Sequence, residues 1–286
     1  MQDLQIPITG GALNVWYRAP HQGASTALLV HGLTGNSRWW TRVIEYLPPA
    51  MGVISMDVRG RGGSLDAPPP FDLRTIANDI KTCLDHLEVD QAVVAGYSMG
   101  GWIVSLFGVD HPRRCRRLVL VDGGLTVPSD PSLDADEIIR AVVGPALARL
   151  DIDFDSIESY EKYWMDHPAL SYYWEQEMGP ILTHELGATE LGYRSRANAD
   201  AIAVAGREIT VDEEISSAPL ALEVPTELIV VERGTLDQPG GMIPLETAQA
   251  AAGANPQLKI TFVADVNHYT LVLGKGAPVV AAAIVG

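Results

Sequence analysis

The sequence predicts an α/β chain in which a mostly parallel sheet is flanked by helices and interrupted by a helical insertion. Three observations predict it. Short β-branched runs alternate with longer amphipathic segments, the rhythm of strand–helix–strand units whose sheet is buried on both faces. A glycine-rich turn carries one of those runs straight into a helix. Over residues 128–222 the rhythm breaks, and helical patterns follow one another with no convincing strand. The expected organisation is a core in two parts, residues 1–127 and 223–286, around a helical cap at 128–222.

Along the chain, residues 4–17 alternate Leu13, Val15 and Tyr17 after the Gly10-Gly11 pair, which reads as an opening hairpin whose turn uses glycine to reach positive φ. Buried strands are expected at 26–30, 52–58, 91–95, 117–121, 226–231 and 258–264. Between them, Ile76, Ile80, Leu84 and Leu87 recur at helical spacing, as do Ile103, Leu106 and Phe107. In the insertion, helices are expected at 134–150, 156–166, 172–187 and 195–205, with breaks near Gly144-Pro145, Pro168 and Gly179-Pro180.

The chemistry begins at Gly96-Tyr97-Ser98-Met99-Gly100-Gly101, a G-x-S-x-G turn between a strand and a helix. The serine sits on a sharp, strained turn. Its flanking glycines are needed because a Cβ there would collide with the adjoining strand or helix. Such a turn presents Oγ at the carboxyl end of the sheet, beside a helix N-terminus whose amides favour negative charge. His31-Gly32-Leu33-Thr34 follows the strand at 26–30, and Asp57-Val58-Arg59-Gly60-Arg61-Gly62-Gly63-Ser64 follows the strand at 52–58. With these three motifs the chain resembles the α/β-hydrolase superfamily, in its capped serine-hydrolase, esterase- or lactonase-like branch. The resemblance runs from about Leu13 to the end and is weakest in the cap. It implies an α/β-hydrolase fold, with a sheet of the eight-stranded type and an inserted helical cap. It implies an oxyanion hole made by the backbone N–H groups of Leu33 and Met99, with His31 orienting the loop and the 57–64 loop serving as a fold marker. It also implies that the nucleophile is Ser98 and that no cofactor is required.

A serine hydroxyl needs a base within hydrogen-bond reach and an acid to orient that base. His268 stands directly beyond the last expected strand and is the expected base. His21, His86, His111, His167 and His184 lack that context. The resemblance implies an acid after one of the later strands and leaves three candidates: Asp237 after the strand at 226–231 comes first, Asp122 after the strand at 117–121 second, and Glu232 third. Of the aromatic cluster Trp39, Trp40, Tyr160, Tyr163, Trp164, Tyr172, Tyr173 and Trp174, the residues Trp39, Trp40 and Trp164 are candidates for a substrate pocket. The competing reading makes the cluster the insertion's own core.

Composition narrows the partners. With 36 acidic against 20 basic residues and a net charge of −16, the surface repels phosphate backbones and anionic membranes, so neither is expected. The run Arg113, Arg114, Arg116 and Arg117 reads as a solvated connection. Cys83 and Cys115 form no paired or zinc-binding pattern. Asp151, Asp153 and Asp155 resemble a calcium loop, but Ser156 and Lys162 stand where that loop needs Gly and Glu, so no metal is expected. The chain opens without a basic, apolar leader and holds no apolar run near the ~18 residues of a membrane span, and a cytoplasmic protein is expected. The expected partner is a small-molecule acyl substrate, with self-association into a homo-oligomer left open. From Asp130 to Asp166 the cap carries ten acidic residues against three basic ones, which would slow anions if that segment overhangs the site. The expected reaction is hydrolysis of a carboxylic ester or lactone through an acyl-enzyme on Ser98. Carbon–carbon bond hydrolysis or perhydrolysis on the same fold, and a ligand-binding module without turnover, are the alternatives.

Overall fold

The computed structural model describes residues 1–127 and 132–286. The expected start of the cap at Pro128, and Asp130 of the acidic run, lie outside the described residues. Strands β1 (Gln2–Ile8) and β2 (Gly11–Arg18) form the opening hairpin around Gly10 at φ 81°. They are followed by β3 (Thr26–Val30), helix α1 (Thr41–Glu45), β4 (Gly52–Met56), α2 (Leu73–His86), β5 (Ala92–Tyr97), α3 (Met99–Asp110) and β6 (Cys115–Val121). After the insertion come β9 (Thr226–Arg233) and β10 (Leu258–Asn267). These eight strands make one sheet in the order β1-β2-β4-β3-β5-β6-β9-β10, parallel from β4 to β10, with β1 and β2 antiparallel at one edge.

The continuous apolar runs follow from cover on both faces. Leu28 and Val30 of β3 pack with Ile54, Met56, Val94 and Leu120 under α2 and α3, while Ala27 and Leu29 pack with Val53, Val93, Val119 and Val121 on the other side. Successive side chains point to opposite faces, so a strand buried on both cannot alternate polar with apolar. Each such fully buried aliphatic side chain contributes about 1.5–3 kcal/mol.

Register positions the site. Val30 pairs with Gly96, and Tyr97 pairs with Val121, so the loops leaving β3, β5 and β6 start side by side at the carboxyl edge of the sheet. Those leaving β9 and β10 start next to them. Crevices at that edge are where open α/β sheets bind ligands.

Between β6 and β9 the chain forms α4 (Ala135–Leu150), α5 (Ile157–Met165), α6 (Met178–Thr183), the hairpin β7 (Leu186–Thr189) with β8 (Gly192–Ser195), then α7 (Ala199–Val211) and α8 (Glu213–Ser217). The all-helical expectation is corrected by that hairpin, which turns at Gly192 with φ 130° and claims residues expected in two helices. Helix α4 starts at an Asp134–Glu137 capping box and runs through Pro145 instead of breaking there. Only the short α6 forms within the expected helix at 172–187. Among the described residues no helix is long and apolar enough to cross a membrane, and Cys83 and Cys115 are buried and unbridged.

Candidate active site

Ser98 sits at φ 54°, ψ −123°, between the end of β5 and the first turn of α3. Such a conformation is sterically costly for a residue with a Cβ and persists only where its surroundings enforce it. A Cβ at Gly96 would lie 2.1 Å from Gly100 O, and one at Gly100 would lie 2.2 Å from Val30 O. The two glycines are thus what lets helix and strand meet closely enough to hold the turn. The Ser98 N–H is fixed by Val121 O at 2.9 Å, and the side chain lines a chamber of about 540 Å³.

His268 also lines that chamber. Its Nδ1 lies 2.7 Å from Asp122 Oδ2, and both side chains are buried. An imidazole proton held on Nδ1 by a carboxylate leaves Nε2 as the basic nitrogen. Tyr97 packs its ring 4.8 Å from the His268 ring and donates its hydroxyl to His268 O at 3.2 Å. Burial first, then Tyr269 and Asp122, raise the Tyr97 phenol well above its ordinary range, so it stays a neutral donor. Among the described residues no hydrogen bond joins Ser98 Oγ to His268; in unliganded sites this contact is often open and tightens with substrate.

The expectation that Asp237 orients the histidine is corrected by this geometry. Asp237 sits in a turn at φ 62°. Its Oδ1 and Oδ2 accept both prongs of Arg233 at 2.9 Å, and Oδ1 also accepts Asn267 Nδ2 at 2.9 Å. It therefore braces the residue beside His268 without touching the imidazole. Burial alone would raise its carboxyl, but the Arg233 guanidinium and the Asn267 amide outweigh it and hold it below the usual range. Glu232 is exposed and accepts the Asp265 N–H at 2.7 Å. Asp122 is fully buried, at φ 44°, with its own N–H on Ile229 O and with Oδ1 unpartnered.

Leu33 lies on the loop after β3 and Met99 opens α3 directly after Ser98, and among the described residues neither backbone N–H goes to a backbone carbonyl. His31 sets the first of these. Its Nε2 accepts the Val58 N–H at 3.1 Å, so the ring proton is on Nδ1, which donates to Gly32 O at 2.7 Å. Gly32 O and Leu33 N belong to one peptide, so this bond both orients and polarises the Leu33 N–H. Burial pushes His31 down to about 4, leaving it neutral.

Arg61, for which no separate role is expected beyond its place in the 57–64 loop, is fully buried in this same network. Its Nε donates to Leu33 O at 3.0 Å, Nη1 to Arg59 O at 2.8 Å, and Nη2 to Ala201 O of α7 at 3.2 Å, with Met99 Sδ 3.8 Å away. Among the described residues it has no carboxylate partner, and burial pushes it down to about 9. It ties the insertion to Leu33 and Met99, the two residues of the expected oxyanion hole. Arg59, by contrast, pairs with buried Asp79 at 2.6 Å, and Asp57 holds its own loop through Asn14, Ser37 and Gly63.

Of the three expected pocket tryptophans, Trp39 and Trp164 line the chamber; Trp40 is packed in the core against the sheet. No Asp or Glu among the described residues lines the chamber, whereas Arg149 of α4 does. The described carboxylates of the cap's acidic run thus do not line it. Among the described residues no His, Cys, Asp or Glu cluster suits a metal.

Comparison with known proteins agrees with this architecture. Residues 28–153 match the family model described as alpha/beta hydrolase fold. A poly(3-hydroxyalkanoate) depolymerase from Ectopseudomonas oleovorans is 26% identical over 227 residues, 73% of this chain and 77% of that protein. Among solved structures, E-2-(acetamidomethylene)succinate hydrolase superposes with a TM-score of 0.78 at 20% identity, over 99% of this chain and 97% of its own. A thermophilic esterase from Thermogutta terrifontis superposes at 0.67 with 22% identity, over 99% and 97%. At these identities the structural likeness speaks for the fold.

Proposed function

We propose that this chain, a member of the alpha/beta hydrolase superfamily, is a serine hydrolase that cleaves a carboxylic ester or lactone of a small-molecule acyl substrate through an acyl-enzyme on Ser98. The observation that carries the reading is one juxtaposition. A serine strained at φ 54° and a histidine bonded to a buried aspartate open onto the same chamber, beside amides of Leu33 and Met99 that no backbone carbonyl among the described residues claims.

In this reading Ser98 Oγ attacks the acyl carbonyl while His268 Nε2 takes its proton. Asp122 stabilises the imidazolium, and the N–H groups of Leu33 and Met99 receive the oxyanion. Collapse expels the alcohol, which takes the proton from His268; water then enters by the same steps and releases the acid. A sequence relative is named a poly(3-hydroxyalkanoate) depolymerase, which supports an ester as the scissile group. A fluorophosphonate probe should label Ser98, and Ser98→Ala should lower turnover of an activated ester by about 10⁶-fold while remaining folded by circular dichroism. Labelling at another residue, with turnover retained in Ser98→Ala, contradicts the reading.

A further inference from the structure

The chamber wall is chemically one-sided. Arg149, 3% exposed at the end of α4, is the one Lys or Arg among the described lining residues. Its Nη1 is bonded to the Glu185 carboxylate and to Tyr160 Oη, but its Nη2 is buried with no partner. The indole Nε1 atoms of three other lining residues, Trp39, Trp102 and Trp164, are buried with no hydrogen-bond partner among the described residues. Among the described lining residues none leaves a buried side-chain acceptor unpaired. Buried donors are nearly always satisfied, and an orphan beside a cavity marks a place for a ligand oxygen or a water.

We propose that Arg149 is a recognition point for an uncharged oxygen acceptor, a ketone or ester carbonyl or a hydroxyl, carried by the acyl chain of the substrate away from the scissile bond. This rests on the serine-hydrolase reading above. The acceptor is uncharged because Glu185 already balances the guanidinium. A substrate carboxylate would bring a second anion to one cation in a dry wall, whereas a carbonyl gains a charge-assisted bond without that repulsion. Trp164, whose ring lies 5.2 Å from Arg149 Cζ, covers the guanidinium and gives the contact an optical reporter.

The test separates binding from turnover. Ser98→Ala protein is titrated by tryptophan fluorescence and calorimetry with methyl octanoate, with methyl oxo-octanoates bearing the ketone at successive carbons, and with monomethyl suberate, which ends in a carboxylate. One ketone position should bind about tenfold or more tighter than methyl octanoate, and Arg149→Met in the same background should erase that difference. If Arg149→Met alone does not fold because Glu185 is left buried and unpaired, the double change Arg149→Met with Glu185→Leu removes the stranded carboxylate and serves instead. A flat ranking across the series, a ranking unchanged by loss of Arg149, or tightest binding of monomethyl suberate overturns the proposal. In wild-type protein, nitrophenyl esters of the same acids should rank alike in kcat/KM. Turnover without ranking counts against Arg149 alone, and ranking in the binding series without turnover counts against the hydrolase reading alone.

Discussion

Two aspartates follow parallel strands of the same sheet at positive φ, and they have opposite surroundings. Asp122, after β6, is fully buried and reaches His268. Asp237, after β9, lies at the margin of the site and is claimed by Arg233 four residues earlier. Inside, His31, Arg61 and Asp122 are each fully buried, so each hydrogen bond fixes a proton or a peptide that solvent cannot reorganise. Outside, the carboxylate is neutralised by a neighbour and screened by water, and acts only through Asn267. Residue type and loop position are therefore shared, while burial and the nearest partner decide which carboxylate has work at the histidine.

The sharpest way to break this comparison is to neutralise each aspartate in turn. Asp122→Asn should lower kcat by about 10⁴-fold, because the amide cannot stabilise the imidazolium, while Asp237→Asn should cost less than about tenfold. The check is kcat per fluorophosphonate-titrated site. A crippled Asp237→Asn beside a near-normal Asp122→Asn would reverse the two regions.

A second test uses pH on the buried side. His31 is pushed down to about 4 in the folded protein against ~6.5 unfolded. A base with a depressed folded pKa lends stability that is fully present above the unfolded value and is lost as pH falls toward the folded one. About 3 kcal/mol should thus disappear between pH ~6.5 and ~4, read by urea unfolding. His31→Gln should flatten that part of the profile. For Asp237 the depressed pKa has the same sign but a lower window, with stability lost only as pH falls below ~4.

A smaller effect should come from Arg61. Arg61→Met keeps the bulk but releases Leu33 O and the α7 contact, so kcat should fall about 10- to 30-fold with little change in KM, since in the proposed mechanism the amides it steadies bind the transition state. Arg61→Lys should recover part of the loss. Equal loss in kcat and stability with no recovery would make Arg61 merely structural.

Much of this was legible in the chain. Runs such as Thr26–Val30 and Gly52–Met56 announce strands covered on both faces, because apolar residues occupy both sides of each strand without alternation, Thr26 and Ser55 aside. Gly96 and Gly100 announce the strained turn at Ser98 because any side chain there would meet backbone. The acid was not legible. Asp122 and Asp237 carry the same local signature, and only the packing of β6 beneath His268 tells them apart. Trp39 and Trp40 are adjacent on one helical turn, so spacing could not say that one faces the chamber and the other the core. The hairpin β7–β8 escaped because its strands are four residues each and mostly half-exposed, leaving no periodic apolar signal. Arg149 gains its meaning from Glu185, 36 residues away, a pairing that no local pattern encodes.

The most direct test of the account is the proton on His268 itself. Low-temperature proton NMR of the wild-type protein near neutral pH should show a downfield resonance from the His268 Nδ1–H held by Asp122. That resonance should vanish in Asp122→Asn and persist in Asp237→Asn. Its persistence in Asp122→Asn together with its loss in Asp237→Asn would contradict the assignment of Asp122 and return the acid to the loop after β9.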